Sequence, residues 1–243
     1  MEHKQYKRII PDADAAILFI HGIAGTPNHF HAFLDKIPAQ FSVYNILLDG
    51  HGETVSDFSH TSMKKWVNQI DHAVDEMLQS HQKLYIVAHS MGCLLAMEQA
   101  IRKDRIVKLF LLAVPLSISL KPKMISNCLK VYFDRIHPED TVAIAAKNCC
   151  SIRQNKNFLR YIGWIPRYLE LFKKIRDTKS ILHQIKIPCT VFQSGRDELV
   201  SNRSFSLLQK YPTFFVFKLE NSSHYYYDEN DFTLLLKIFH KWI

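Results

Sequence analysis

The feature that most constrains this chain is a short turn set between an apolar run and a helical pattern. The run Leu84-Tyr85-Ile86-Val87 leads directly into Ala88-His89-Ser90-Met91-Gly92, and a segment rich in Leu, Ala and Met follows. A sharp strand-to-helix turn lifts its central side chain above the sheet and needs small neighbours to avoid clashes. Ala88 and Gly92 meet this need, so the pattern predicts a nucleophile at Ser90.

The rest of the chain predicts an α/β fold with a mostly parallel central sheet. Short apolar runs alternate with longer segments of helical periodicity, the pattern of a parallel sheet flanked by helices. Several runs consist of Ile, Val, Leu and Phe without interruption, which is typical of strands buried on both faces. About seven strands are predicted, at 6–10, 16–20, 43–48, 84–88, 108–113, 189–193 and 214–219. Five framing helices are predicted, near 28–37, 62–80, 91–103, 201–210 and 231–242.

Residues 116–187 depart from this alternation. They have a helical pattern broken by Pro122, Pro138 and Pro166. A long excursion between neighbouring strands is usually functional rather than structureless. We therefore expect a helical cap inserted after the sixth strand, with residues 1–115 and 188–243 forming one core domain.

The positive charge of the chain is concentrated in this predicted cap. Between 116 and 187 there are 14 Lys and Arg against 5 Asp and Glu, a balance of +9, whereas the remaining residues carry 17 against 18, or −1. Such a stretch suits a solvated surface. It also suits attraction to an acidic substrate or to a membrane surface.

Composition and cysteine use exclude several classes of protein. With 47% hydrophobic residues the chain can bury a large core, so disorder is not expected. Its five cysteines are odd in number and lack CxxC spacing, which argues against a disulfide scaffold or a zinc site. The charged start lacks the apolar core of a signal peptide, and no run approaches the roughly 18–20 apolar residues of a membrane span. These features favour a cytoplasmic protein without stable membrane insertion.

A second loop can complete a site around Ser90. His21-Gly22-Ile23-Ala24-Gly25 follows the apolar run at 16–20, and a Gly-containing loop there can turn backbone N–H groups inward. The N–H groups of Ile23 and Met91 would then form a two-donor hole for a tetrahedral oxyanion. The start of the helix at Met91 favours negative charge at the same place.

In these motifs the chain resembles the α/β-hydrolase superfamily, and within it the small capped carboxylesterase and monoacylglycerol-lipase-like serine hydrolases. The Ser90 turn, the His-Gly loop and Leu48-Asp49-Gly50-His51-Gly52 match the order and spacing of that group. Ala88 stands where the family usually has Gly, and Cys93 where a second Gly often follows. The resemblance covers the chain outside the predicted cap.

The resemblance implies an acid after the strand that follows the cap and a histidine after the last strand. Asp197, with Glu198 as the alternative, and His224 occupy these positions, which gives the chain order Ser, acid, His. His224 would take the proton of Ser90 and pass it to the leaving group, while Asp197 would fix the imidazole tautomer.

These residues predict a serine hydrolase that cleaves carboxylic esters of small to medium acyl groups through an acyl-enzyme. A thioesterase or acyltransferase acting on an anionic carrier such as acyl-CoA is an alternative, motivated by the basic cap. A non-catalytic ligand-binding protein on the same fold is a further one. The expected partner is a small-molecule ester, and we expect no nucleic acid, metal or organic cofactor; the oligomeric state stays open.

Other residues are assigned to the surroundings of the site. His21 and His89 flank it by motif and are expected to form supporting hydrogen bonds at the substrate pocket, and His51 is expected to be a loop residue rather than a metal ligand. Trp164 lies in a segment, 157–175, whose apolar residues recur at roughly helical spacing. We expect an amphipathic helix there that buries its aromatic side over the acyl pocket and turns its basic side to solvent.

Overall fold

One seven-stranded sheet organises the fold. The computed structural model describes residues 2–243. The strands are β1 (Tyr6–Arg8), β2 (Ala15–Ile20), β3 (Ser42–Ile46), β4 (Lys83–His89), β5 (Ile106–Leu112), β6 (Cys189–Ser194) and β7 (Phe214–Leu219). Their order across the sheet is β1-β3-β2-β4-β5-β6-β7. Only the edge strand β1 is antiparallel to its neighbour, while all other pairs are parallel.

Helices cover both faces of this sheet. They are α1 (His31–Leu34), α2 (Val55–His60), α3 (Met63–Ser80), α4 (Met91–Arg102), α5 (Pro122–Tyr132), α6 (Thr141–Cys149), α7 (Ile165–Ile181), α8 (Arg203–Leu208) and α9 (Glu229–Trp242). Short 3₁₀ segments lie at Pro27–Phe30, Phe158–Trp164 and Leu182–Gln184. In the described part of the chain, no helix is both long enough and apolar enough to cross a membrane.

The alternation of side chains along the central strands divides the core into two layers. In β2, Ala16, Leu18 and Ile20 face the layer formed with α3 and α4, whereas Ile17 and Phe19 face the layer formed with α9. All five side chains are fully buried. This two-sided burial explains why the strand sequence is apolar without interruption.

The predicted fold class is confirmed, with differences at several elements. The helix expected near 28–37 is a 3₁₀ turn followed by the single-turn α1, and the helix expected near 201–210 shortens to α8. Helix α2 was not predicted from the sequence. Its N-terminus carries a capping box in which Thr54 accepts from the Asp57 backbone N–H and the Asp57 carboxylate accepts from the Thr54 N–H.

The inserted segment, residues 116–187, lies one strand earlier than expected. The prediction of an insertion after the sixth strand is wrong because the described chain supplies only five strands before residue 116, so the segment joins β5 to β6. It contains α5, α6 and α7. Leu171 and Ile175 of α7 belong to the core layer of α3 and α4, so the second half of the segment packs into the body of the protein. The division into core and cap domains stays a prediction.

The expected burial of the aromatic side of this segment is wrong for most of its residues. The 3₁₀ segment Phe158–Trp164 and the outer face of α7 hold apolar side chains in solvent, with exposed fractions of 46–71%. These residues are Phe158, Leu159, Ile162, Ile165, Leu169 and Phe172. The helix begins only at Ile165, and its buried face consists of Leu171, Ile175 and Thr178. The apolar positions of the segment therefore divide between two faces.

Candidate active site

The topology of the sheet places the candidate residues at one edge. From β2 the chain passes to β3 on one side and then returns to β4 on the other. Parallel sheets bind ligands beyond the carboxyl ends of their strands at such a reversal. Ile20 at the end of β2 pairs with Ala88 in β4, so the His-Gly loop and Ser90 emerge side by side.

Ser90 occupies a strained turn between β4 and α4. Its backbone has φ 52° and ψ −122°, in a region that residues with a side chain rarely adopt. The surrounding structure holds this conformation: the Ser90 N–H donates to the Leu112 carbonyl at 2.8 Å, and the Ser90 carbonyl accepts from the Cys93 N–H at 2.9 Å. Only 7% of Ser90 is exposed. The turn therefore presents the hydroxyl in a nearly closed site.

The two small residues beside Ser90 have different roles. A Cβ at Gly92 would overlap the carbonyl oxygen of Ile20 and crowd that of His21, both of which are backbone atoms. Position 92 therefore requires glycine so that α4 can approach β2. Ala88 is fully buried in β4, and the structure accommodates its methyl group in place of the glycine usual in the resembling family.

The His-Gly loop touches Ser90 directly. A Cβ at Gly22 would lie 2.9 Å from the Ser90 Cβ, so glycine allows the loop to approach the nucleophile candidate. The loop turns through a hydrogen bond of 3.0 Å from the Gly25 N–H to the Gly22 carbonyl, and Ala24 between them has φ 52°. The Ala24 carbonyl accepts from the Ser151 N–H at 3.0 Å. This hydrogen bond joins the inserted segment to the His-Gly loop.

Asp197 and His224 form a buried pair. Asp197 Oδ2 accepts from His224 Nδ1 at 2.9 Å, and each residue is 1% exposed. Asp197 Oδ1 accepts from the backbone N–H groups of Leu199 and Val200, each at 2.8 Å. These bonds fix the carboxylate and assign the proton of the imidazole to Nδ1, so Nε2 is left as a base.

Glu198 makes a different contact from its neighbour Asp197. Its carboxylate accepts from the backbone N–H of His224 at 3.1 Å, whereas the imidazole donates to Asp197. Of the two acids that the sequence offered, Asp197 is the one joined to the ring of His224.

The electrostatics around His224 favour its protonated form. Burial alone lowers the pKa of an imidazole, but the charge and hydrogen bond of Asp197, with a smaller contribution from Glu198, together raise the pKa of His224 above its ordinary value. The imidazolium that forms when this residue accepts a proton is thereby stabilised.

Three further histidines surround the site as neutral rings. Burial is the main cause that lowers the pKa of His21 and His89 far below the usual value, and that of His29 to about 3. His21 Nδ1 donates to the Gly22 carbonyl at 2.8 Å and its Nε2 accepts from the Leu48 N–H at 3.1 Å. His89 Nε2 donates to the His224 carbonyl at 3.0 Å. Both residues support the backbone of the site.

A polar group that the sequence did not predict lies next to these rings. His29 lies 4.2 Å from His89, ring to ring, and its Nε2 lies 3.1 Å from the Tyr227 hydroxyl. Its Nδ1 lies 3.4 Å from the Cys149 sulfur at the end of α6. Tyr225 packs edge-on against His224 at 4.6 Å. Sequence proximity was the available signal, because His29 closely follows the His-Gly loop and both tyrosines closely follow His224.

Trp164 and His51 lie in another cluster. The indole of Trp164 packs on Phe58 at 4.7 Å and donates from Nε1 to the Val55 carbonyl at 3.3 Å. Neither contact joins it to Ser90, so its place in the substrate pocket stays a prediction. His51 is a buried loop residue between His21 and Phe58. Among residues 2–243, no three His, Cys, Asp or Glu side chains are grouped so that they could hold a metal ion.

Sheet and site together define a class of protein. A mostly parallel sheet carries a strained serine after β4, a buried acid after β6 and a buried histidine after β7, beside a glycine loop after β2. This is the arrangement of the α/β-hydrolases.

Comparison with known proteins gives the family. Residues 11–212 match the model of the family described as Serine aminopeptidase, S33 (Hydrolase_4), and the chain belongs to this family. It is accordingly a serine hydrolase. The chain is also 26% identical over 204 residues to "Phospholipase YtpA" of Bacillus subtilis (strain 168), an alignment that covers 76% of this chain and 77% of that protein.

Solved structures share the fold at low sequence identity. A structure described under "LipS and LipT, two metagenome-derived lipolytic enzymes" superposes with a TM-score of 0.74 at 18% identity, covering 99% of this chain and 98% of the other. The monoacylglycerol lipase of Paleococcus ferrophilus gives 0.70 at 18% identity, covering 100% and 98%. A thioesterase domain from the curacin biosynthetic pathway gives 0.61 at 18% identity, covering 96% and 94%.

Proposed function

We propose that this chain hydrolyses carboxylic esters of small to medium acyl groups through an acyl-enzyme on Ser90, with Asp197 and His224 completing a catalytic triad. The observation that carries the proposal is the buried hydrogen bond between Asp197 and His224, in a fold that also holds Ser90 in a strained turn. Strain of this kind persists where a surrounding structure enforces it for function.

The backbone around Ser90 supports an oxyanion hole in the same place. The N–H groups of Ile23 and Met91 donate to no other group within residues 2–243, and Gly22 brings the first of them close to Ser90. Two backbone donors without a partner, one directly after Ser90 and one in the adjacent loop, suit the negative charge that develops on a carbonyl oxygen during acyl transfer.

The reaction then follows from these groups. His224 Nε2 accepts the proton of the Ser90 hydroxyl while Oγ attacks the ester carbonyl, and the oxyanion accepts hydrogen bonds from Ile23 and Met91. The imidazolium gives its proton to the departing alkoxide, which leaves as an alcohol. A water molecule then attacks the acyl-enzyme as His224 takes its proton, and the acid departs with Ser90 restored.

An ester substrate is favoured by the relatives. The protein from Bacillus subtilis is named a phospholipase, and two of the similar structures are described as lipolytic enzymes or as a monoacylglycerol lipase. Each name applies to that protein. Together they favour an ester bond over the peptide bond named in the family description.

The decisive experiment combines a covalent probe with a graded substrate series. A fluorophosphonate should label Ser90, found by peptide mass spectrometry, and nitrophenyl esters of two to twelve acyl carbons should give the chain-length preference. Ser90→Ala should remain folded, take no label and lose about 10⁴–10⁶ in kcat. Aminoacyl nitroanilides serve as the peptide-bond comparison.

Four results would count against the proposal. Label on a residue other than Ser90, or turnover in Ser90→Ala close to that of the parent, would show that Ser90 is not the nucleophile. Cleavage of the anilides in preference to every ester would make the chain a peptidase. A parent that binds esters without turning them over would instead support a non-catalytic ligand-binding protein.

A thioesterase is the second candidate because the inserted segment carries all of the excess positive charge. Such charge would raise the rate of encounter with an acyl-CoA and lose its effect as salt screens it over about 8–10 Å. Reversing exposed lysines of the segment should then lower kcat/KM for CoA thioesters at low salt but not for matched neutral esters. An equal change in kcat/KM for both substrates would exclude a role of the positive charge in attracting acyl-CoA.

A further inference from the structure

The inserted segment exposes an unusual amount of apolar surface. Within residues 2–243, sixteen large apolar side chains are exposed, and eleven of them lie between Leu120 and Phe172. On α5, Ile125 and Leu129 are 55% and 52% exposed and Phe133, just beyond its end, is 59% exposed; their four-residue spacing puts them in one stripe. Contiguous exposed apolar surface of this kind marks an interaction site.

The stripe on α5 continues onto the neighbouring 3₁₀ segment. The Tyr132 ring lies 5.0 Å from Phe133 and 5.9 Å from Tyr161, and Tyr161 in turn stacks with Phe158 at 6.3 Å. The Tyr132 hydroxyl donates to the Lys156 carbonyl at 2.8 Å. These contacts join two exposed apolar groups into one surface, and Phe158 is its most exposed member at 71%.

Unpaired cations border this surface. In the described chain, five exposed basic side chains near it have no carboxylate within 4 Å; they are Lys123, Arg135, Lys156, Arg160 and Lys173. A shallow depression lies on the outside of α5, between Pro122, Leu129 and Phe133, with Arg135 at its rim. We call the exposed apolar residues of α5 and 158–172 with these five cations the apolar–basic face.

We propose that the apolar–basic face docks this protein on an anionic lipid surface. A bilayer interface offers both complements at once, since acyl chains accept Leu, Ile and Phe while lipid phosphates attract Lys and Arg. A second copy of the chain would bring the same positive charge and be repelled. In this arrangement α5 lies along the interface.

The face lies beside the candidate active site. The first residue before α5, Lys121, donates from its backbone N–H to the Glu198 carbonyl at 3.0 Å, and its ammonium group contacts the Asp197 carbonyl. Docking through α5 therefore holds the acid loop of the site close to the lipid. The inference does not depend on the proposed function, because vesicle binding is measured without turnover.

The test is flotation of the intact protein with vesicles of ether-linked phospholipids, which contain no carboxylic ester to cleave. The protein should float with phosphatidylglycerol vesicles, bind phosphatidylcholine vesicles at least tenfold more weakly, and lose binding as salt rises. Lys123→Gln, Arg135→Gln, Lys156→Gln and Arg160→Gln should each lower partitioning about fivefold. The combined Leu129→Ser, Phe133→Ser and Phe158→Ser variant should lower it at least tenfold.

Matched controls use exposed residues elsewhere on the surface. Phe215 and Leu234 are 56% and 41% exposed, and Lys64 and Lys237 are exposed cations without a carboxylate within 4 Å. Their substitutions by Ser and by Gln should leave flotation unchanged. Absence of binding to phosphatidylglycerol, or equal binding by parent and patch variants, would overturn the proposal. A dimer in sedimentation that the apolar variant dissociates, without vesicle binding, would assign the face to self-association instead.

Discussion

Asp197→Asn tests the buried pair at the centre of the proposed mechanism. The variant keeps the size of the side chain, and its amide oxygen can still accept from the N–H groups of Leu199 and Val200. The amide nitrogen would then face His224 Nδ1 at about the distance of the present hydrogen bond. Since two donors cannot pair, the imidazole adopts the tautomer with its proton on Nε2 and can no longer accept one from Ser90.

The expected loss is large because the pair is buried. A wrong tautomer together with an unstabilised imidazolium should lower kcat by about 10⁴, or roughly 5 kcal/mol of activation free energy. KM should change little because the carboxylate acts on the transition state. Asp197 is also the main cause that raises the pKa of His224, so with Asn in its place burial dominates and that pKa falls.

The pH profile gives an independent measurement. His224 acts as a base only when neutral, so kcat/KM rises as pH increases through the pKa of His224. In the parent this acid limb should lie above pH 6.5, and in Asp197→Asn the residual activity should have its limb at lower pH. Nitrophenyl ester hydrolysis between pH 5 and 9 gives the midpoint of the rise in kcat/KM for the parent and for Asp197→Asn. Circular dichroism establishes that both proteins are folded.

Glu198→Gln is the matched control. Gln can still accept from the His224 N–H, so kcat should fall by less than about tenfold. The acid limb should move less than in Asp197→Asn because Glu198 is the smaller of the two causes. If Glu198→Gln loses about 10⁴ and Asp197→Asn remains active, the acid has been misassigned and the reasoning from the 2.9 Å hydrogen bond fails.

Two further changes test the packing around the site. Gly92→Ala should lower Tm by about 4–8 °C in a thermal melt, because its Cβ would overlap the Ile20 carbonyl and the backbone must shift. Ala88→Gly adds no atom and should lower Tm less. A Gly92→Ala variant as stable as the parent would contradict this packing. Trp164→Ala should lower the unfolding free energy by about 2 kcal/mol through lost packing on Phe58 and should shift the preference between short and medium acyl esters. An unchanged preference with a lowered Tm would leave Trp164 a purely structural residue.

Local patterns in the sequence were enough to predict the sheet and the positions of the candidate residues. An uninterrupted apolar run such as β2 identifies a strand buried on both faces, and a small-Ser-small turn after β4 identifies a nucleophile candidate. These features depend on neighbours along the chain, so they can be recognised without the fold. The edge β1 and the single-turn α1 were less accurately bounded, because short elements carry too few periodic positions.

Contacts between distant segments required the tertiary structure. Asp197 and Glu198 are adjacent acids in one loop, and only the approach of β7 to β6 decides which of them meets the imidazole. The contact of His29 with Tyr227 spans almost the whole chain. No local pattern encodes such a distance.

In the inserted segment, too, the burial of side chains could not be predicted from the sequence. From 157 to 175 the sequence fixes which positions are apolar, but their spacing alone cannot say how many faces find a partner. The structure buries Leu171 and Ile175 against the core and leaves Phe158, Leu159 and Leu169 in solvent. Hydrophobicity is a property of each residue, whereas burial depends on whether another part of the chain can cover it.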